Sequence, residues 1–179
     1  MTQLSQDPVA PRAPNPPPAL ILSTFEHLVA FGFGAGLAPK APGTMGTLVG
    51  VLLFLPLWLL KPEWYALAVV LLFAIGCWFC GESARLLGVH DYGGIVFDEI
   101  VGLLVAAAPL VLWPPATALG AALLLGAAFA LFRLFDIWKP WPIRILDRRV
   151  HGGFGIMVDD LLAGVFAAVV LGVPLYLLR

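Results

Sequence analysis

The stretch Phe132-Arg-Leu-Phe-Asp136-Ile-Trp-Lys139-Pro-Trp-Pro142 decides how this chain is read. It runs on through Arg144, Asp147, Arg148 and Arg149 to His151-Gly-Gly-Phe-Gly-Ile-Met-Val-Asp159-Asp160. Cations, acids, glycines and prolines are packed between two long apolar runs, 116–135 and 158–178. A helix needs about 20 apolar residues to cross a hydrocarbon layer roughly 30 Å thick. Two such runs joined by charged sequence place those charges at one membrane face, and a plain linker would not need them.

The rest of the chain repeats the pattern. Of its 179 residues, 61% are hydrophobic and 12% charged, which is far too apolar for a water-soluble domain of ordinary composition. Apolar stretches at 45–60, 64–80, 95–113, 116–135 and 158–178 predict five transmembrane helices, the first barely long enough. Ahead of them, Leu20 to Leu37 carries Glu26 and His27 and is interrupted by Gly32, Gly34 and Gly36, which predicts an interfacial or re-entrant helix. Residues 1–19 are rich in proline, from Pro8 to Pro18, and poor in large apolar side chains. They predict a disordered tail and lack the pattern of a signal peptide. The expected fold is therefore all-α, a bundle of about five transmembrane helices plus the N-terminal helix, with residues 20–179 forming a single membrane-embedded domain.

Charge placement orients the bundle. Short hairpins at 61–63 and Pro114-Pro115 alternate with longer polar connections at 81–94 and 136–157. Threading the spans puts Arg12, Lys40, Arg85, Lys139, Arg144, Arg148 and Arg149 on one face, and only Lys61 and Arg179 on the other. The positive-inside bias makes the crowded face cytoplasmic and leaves the C-terminus outside. Cys77 and Cys80 stand three apart, but no second cysteine pair or histidine cluster accompanies them. They are expected to be buried packing and not zinc ligands.

An internal echo draws attention to the acids. Val89-His-Asp-Tyr-Gly-Gly-Ile-Val-Phe-Asp98-Glu99 aligns without a gap with Val150 to Asp160, and Val, His, Gly, Ile and Asp coincide. A glycine-rich turn thus twice delivers an acid pair to the cytoplasmic start of an outward-going span, and repeats of this kind commonly frame one site. Asp136 joins the set from the end of an inward-going span. A helix dipole stabilises a single acid in a first turn by about 0.3 to 1 kcal/mol. It explains neither Asp136 at a C-terminal end nor two adjacent acids.

Helix spacing shows how these acids can meet. Asp98 and Gly102, like Asp160 and Gly164, stand four apart and share a face, so each acid lies over a small residue where another helix can approach. Carboxylates gathered in this way repel one another unless a cation joins them. An all-oxygen ligand set favours Mg²⁺, with Mn²⁺ next. Asp98, Glu99, Asp136, Asp159 and Asp160 are therefore the candidate metal ligands and catalytic groups. Arg133, Lys139 and Arg144 lie beside them, and Lys40 sits in a Pro-X-X-Pro loop leading to Gly43-Thr44, where Thr44 is the expected helix cap. These side chains and a glycine turn opening a helix suit phosphate oxygens. Arg148 and Arg149 fit equally well a basic rim facing anionic lipid heads.

Five motifs carry a likeness to a known family. Phe31-Gly-Phe-Gly-Ala-Gly, Ala41-Pro-Gly-Thr-Met-Gly46, Val96-Phe-Asp-Glu99, Phe132 to Arg144 and His151 to Asp160 together resemble the phosphatidylglycerophosphatase A family over about residues 27–170. The resemblance implies a Mg²⁺-dependent lipid phosphatase of the bacterial inner membrane that removes the terminal phosphate of phosphatidylglycerophosphate to give phosphatidylglycerol. Asp98, Glu99, Asp136, Asp159 and Asp160 match the family's acidic positions, and Lys40, Thr44, Arg133 and Lys139 its polar ones. The expected partners are the phospholipid substrate and membrane lipids, without nucleic acid.

On this reading Lys40, Arg133 and Lys139 clamp the phosphoryl oxygens while one acid that holds no metal serves as general base. No Asp-X-Asp pair exists to favour an aspartyl-phosphate route, and no Asp-X-X-Asp-Gly run suggests an alcohol phosphotransferase. His90 and His151 are expected to be hydrogen-bonded loop residues, with His151 the alternative proton donor. The rival from another class is an ion-coupled transporter with an acidic site, but these acids crowd one interface and not the midplane.

Overall fold

The structure, a computed structural model, describes residues 16–89 and 92–177. These residues form helices and connecting turns, with no strand among them. In chain order they are α1 (Pro18–Ser23), α2 (Phe25–Ala30), a 3-10 segment (Gly32–Leu37), α3 (Pro42–Leu57), α4 (Pro62–Leu87), α5 (Phe97–Leu112), α6 (Ala118–Trp138), α7 (Ile143–Arg149) and α8 (Gly152–Leu177).

Three helices, α4, α6 and α8, are long and apolar enough to cross a membrane, with 26, 21 and 26 residues. Their outward faces carry exposed Val70, Leu71, Trp78, Leu119, Leu123, Val169 and Val170. An unbroken apolar surface of this kind is costly in water and suited to lipid. Helices α3 and α5 have 16 residues each, about 24 Å at 1.5 Å per residue.

Helix α5 is the axis of the bundle and packs against α3, α4, α6 and α8. Ile100, Val101, Leu103, Leu104, Ala106, Ala107 and Leu110 are all buried. Small residues allow this density. A Cβ on Gly102 would collide with Phe132 and crowd the Asp160 carbonyl at 2.9 Å, and one on Gly164 would collide with the Gly102 carbonyl. The α5 and α8 backbones therefore touch directly beneath the acids, as the four-residue spacing predicts. On the α3 side, a Cβ on Gly50 would lie 3.0 Å from the Ile100 carbonyl. Close approach through glycine is how helices associate where no hydrophobic force separates lipid from side chain.

Several boundaries differ from expectation. The segment from Leu20 to Leu37 is three short pieces and not the one interfacial or re-entrant helix expected. Gly32, Phe33 and Gly34 take positive φ values of 56°, 58° and 100°, which no α-helix accommodates. Thr44 is not a cap: α3 starts at Pro42 after Ala41, itself at φ 49°, and Thr44 lies within the first turn. Helix α4 runs on to Leu87 and closes on left-handed Gly88, so the first half of the expected 81–94 connection is helical. Helix α8 begins six residues before the expected Val158, and the 136–157 connection contains α7.

The expected tail gives up Pro18 and Ala19 to α1. Its first 15 residues, with Arg12, lie outside the described residues, as do His90, Asp91 and Arg179. Cys80 is buried with its Sγ 3.8 Å from Met157 Sδ, and Cys77 is half-buried. Neither is in a disulfide, in keeping with a packing role.

Candidate active site

Each acid is delivered by a different local device. Asp98 and Glu99 occupy the first turn of α5, whose start is fixed when the Val96 amide donates to the Ala30 carbonyl at 2.9 Å. Asp159 and Asp160 lie further into α8, on its inward face, at 6% and 3% exposure. Asp136 comes from the last turn of α6, one turn after Arg133. Lys139 ends that helix in the left-handed region at φ 44°, which turns its side chain back towards α7 and α8. Its Nζ donates to Asp159 Oδ2 at 2.6 Å and to Asp147 Oδ1 at 2.8 Å.

These groups surround one cavity of about 290 Å³, lined by Asp98, Glu99, Asp136, Asp159, Asp160 and Lys139, with Asp147 at its side. One carboxylate oxygen from each of Asp98, Glu99 and Asp160 lies within 4.8 Å of the other two. Asp136 faces Asp160 and adds to the repulsion felt by Glu99. Against these carboxylates stand two cations in contact among the described residues, Lys139 and Arg133.

Charge therefore remains uncompensated. Glu99 Oε2, Asp159 Oδ1 and Asp160 Oδ2 are buried without a hydrogen-bond partner among the described residues. Leaving ionised oxygens in that condition is expensive. The unpartnered oxygens and the all-carboxylate donor set suit a hard divalent cation held by Asp98, Glu99 and Asp160. Burial works against the charge on Lys139, but Asp147 and Asp159 outweigh it and hold the ammonium above the ordinary lysine range.

The structure thus brings together all five acids and Lys139. The other expected residues do not line the cavity. Lys40 is exposed on the loop before α3, Thr44 is half-buried in α3, and neither lines the cavity. Arg144 is exposed and donates to the Trp138 carbonyl at 3.3 Å. Arg133 is half-buried against Glu99 and Asp136 and does not line the cavity. His151 is exposed, with Nδ1 3.1 Å from the Arg149 carbonyl, and Arg148 and Arg149 are exposed on α7.

Asp147 is the residue that sequence reasoning missed. In Leu-Asp-Arg-Arg it reads as an ordinary surface acid. No local spacing signals it, because Asp147 meets Lys139 across eight residues of chain and a helix boundary.

The family model for phosphatidylglycerophosphatase A matches residues 28–174, a span that holds every cavity residue. The chain belongs to the phosphatidylglycerophosphatase A family. It is 44% identical over 147 residues to the phosphatidylglycerophosphatase A of Escherichia coli K12, covering 81% of this chain and 80% of that one. The phosphatidylglycerophosphatase A of Haemophilus influenzae is 43% identical over 159 residues, 87% of this chain and 92% of its own. A Bacteroides thetaiotaomicron protein described as "Putative phosphatidylinositol-3-phosphatase" is 37% identical over 151 residues, 82% of this chain and 91% of its own. No solved structure matches the chain. Membership of phosphatidylglycerophosphatase A makes the chain a phosphatase and sets it apart from the transporters that acidic membrane sites also suggest.

Proposed function

We propose that this phosphatase hydrolyses the terminal phosphate monoester of phosphatidylglycerophosphate to phosphatidylglycerol, using Mg²⁺, at the cytoplasmic face of a bacterial inner membrane. The observation that carries the proposal is the convergence of Asp98, Glu99 and Asp160 within 4.8 Å, with buried oxygens left over, in a cavity that also receives Lys139. The names of the E. coli and H. influenzae relatives supply the lipid. In the same reading α3 and α5 cross the layer alongside α4, α6 and α8. Trp58 and Trp113 at their far ends and Trp138 and Trp141 near the site would then sit at the two aqueous boundaries.

Asp98, Glu99 and Asp160 would hold Mg²⁺, which when bound supplies positive charge to the phosphoryl oxygens and the leaving oxygen. Lys139, anchored by Asp147 and Asp159, turns a remaining N–H towards a phosphoryl oxygen and orients the monoester. Asp159 has Oδ2 engaged by Lys139 and Oδ1 unpartnered, which suits it to take the proton of the attacking water. The water oxygen bonds to phosphorus, the phosphorus–oxygen bond to the headgroup glycerol breaks, and the departing alkoxide takes a proton from solvent.

The test is phosphate release by the purified protein in detergent. With phosphatidylglycerophosphate and Mg²⁺ the protein should release inorganic phosphate, and chelation should stop it. Release that survives chelation would reject the metal. Cleavage of phosphatidylinositol 3-phosphate in preference to phosphatidylglycerophosphate would reject the substrate.

A further inference from the structure

We infer that Arg133 is a positioning residue that stands behind the carboxylates and orients Glu99 and Asp136, so that Lys139 alone of the two cations meets the phosphoryl group. This rests on the phosphatase reading above and divides its two cations by role. A guanidinium near a phosphatase site is ordinarily taken for a phosphate fork. Here its surroundings point the other way.

Arg133 Nη1 lies 2.6 Å from Asp136 Oδ2, one turn along the same helix, and 3.7 Å from Glu99 Oε1 on α5. The shorter contact is an ion pair without hydrogen-bond alignment, since Nη1 has no hydrogen-bond partner. The side chain is 17% exposed and contributes nothing to the cavity wall, whereas Lys139 does. The far side is closed as well. Gly43, in the first turn of α3, packs so tightly that a Cβ there would collide with Glu99 Oε1 and stand 3.1 Å from Arg133 Nη1. The guanidinium is thus enclosed between α3, α5 and α6.

This placement has a consequence for each acid. Arg133 faces Glu99 Oε1, and Oε2 is the oxygen left without a partner. One edge of the carboxylate lies 3.7 Å from the arginine, and the other is left for whatever the cavity holds. Asp136 is held through Oδ2 in the same way. To reach a phosphate in the cavity, Arg133 would have to leave two anions whose side chains are each only 14% exposed, and breaking such largely buried pairs is unfavourable. Lys139 needs no such movement.

The experiment compares Arg133→Gln and Arg133→Lys with Lys139→Gln, in detergent at saturating Mg²⁺. Binding of inorganic phosphate is followed by titration calorimetry, and kcat and KM are measured with phosphatidylglycerophosphate. For Arg133→Gln the phosphate Kd and the lipid KM should stay within about twofold of wild type, while kcat falls about 10- to 100-fold, the usual range for residues that orient metal ligands. Arg133→Lys should recover part of kcat, and it carries the comparison if the Gln variant does not fold. Lys139→Gln should weaken phosphate binding by about tenfold or more, the loss of one charge-assisted contact. A phosphate Kd weakened as much by either Arg133 variant as by Lys139→Gln would overturn the inference. Phosphate binding reads out independently of the lipid, so failure to cleave phosphatidylglycerophosphate would count against the proposed substrate and not against this division of roles.

Discussion

The two acid pairs look alike in sequence and are built differently. Asp98-Glu99 stands in the first turn of α5, after a turn whose Ile95 and Val96 are buried. Asp159-Asp160 follows nearly two turns of helix, because α8 begins at Gly152. The aligned glycines thus form a loop in one copy and a helix in the other. A first-turn pair faces free backbone N–H groups and the positive end of a dipole. The α8 pair lies beyond their reach and must be stabilised by side chains or by an ion. Lys139 meets Asp159, and no cation of the chain touches Asp160 among the described ion pairs.

That difference predicts the largest effect. Asp160→Asn should reduce phosphate release by at least about a hundredfold, since it alters a ligand and not merely a group that orients one. Asp98→Asn should also lower turnover, but less, because Asp98 accepts the Glu99 amide at 3.0 Å and an amide oxygen can still accept it. Rates of phosphate release in the two variants check the order. Equal losses would mean that the two pairs contribute alike despite their different settings.

The meeting of the pairs depends on backbone contact, and glycines on neighbouring helices sharpen the point. Gly102 and Gly164 sit where α5 and α8 touch, while Gly126 on α6 has nothing within 4 Å of an added Cβ. Gly102→Ala or Gly164→Ala should destabilise the protein by about 1 to 3 kcal/mol through overpacking. Gly126→Ala should be neutral or stabilising by up to about 1 kcal/mol, the helix preference of alanine over glycine. Thermal unfolding in one detergent separates these outcomes.

Much of this was legible in the chain itself, and the reason is physical. Long apolar runs and the Asp-to-Gly spacing of four follow from helix geometry and bilayer thickness, which are nearly context-free. They lead to α4, α6 and α8, and to the close approach of α5 and α8. What escaped depends on direction and not on type. Lys40 and Arg133 carry the charge a phosphate needs, yet one is exposed to solvent and the other pairs with Glu99 and Asp136 without lining the cavity. Asp147 reaches the cavity because Lys139 takes a left-handed turn and α7 follows, and neither is encoded in residue polarity. The break at Gly32 to Gly34 was visible as glycine, but Phe33 sharing its positive φ was not.

The mildest effect should come from a polar contact away from both acid pairs. His27 on α2 is buried against α4, with Nδ1 2.8 Å from Ser83 Oγ. Burial holds the imidazole below its ordinary value of 6.5, and Glu26 only partly opposes this. A histidine held neutral by the fold adds stability above that ordinary value and loses it as pH falls through its lowered one. The wild-type unfolding temperature should therefore decline below about pH 6, with His27→Phe removing that part of the decline. Ser83→Ala at pH 7 should cost about 1 kcal/mol, one buried hydrogen bond, and leave turnover within about twofold. Because α2 carries the Ala30 carbonyl that receives the Val96 amide just before α5, this contact also tests how tightly the N-terminal pieces hold the first acid pair. A Ser83→Ala protein with unchanged stability but strongly reduced turnover would show that the α5 pair, unlike the α8 pair, is positioned from outside the bundle.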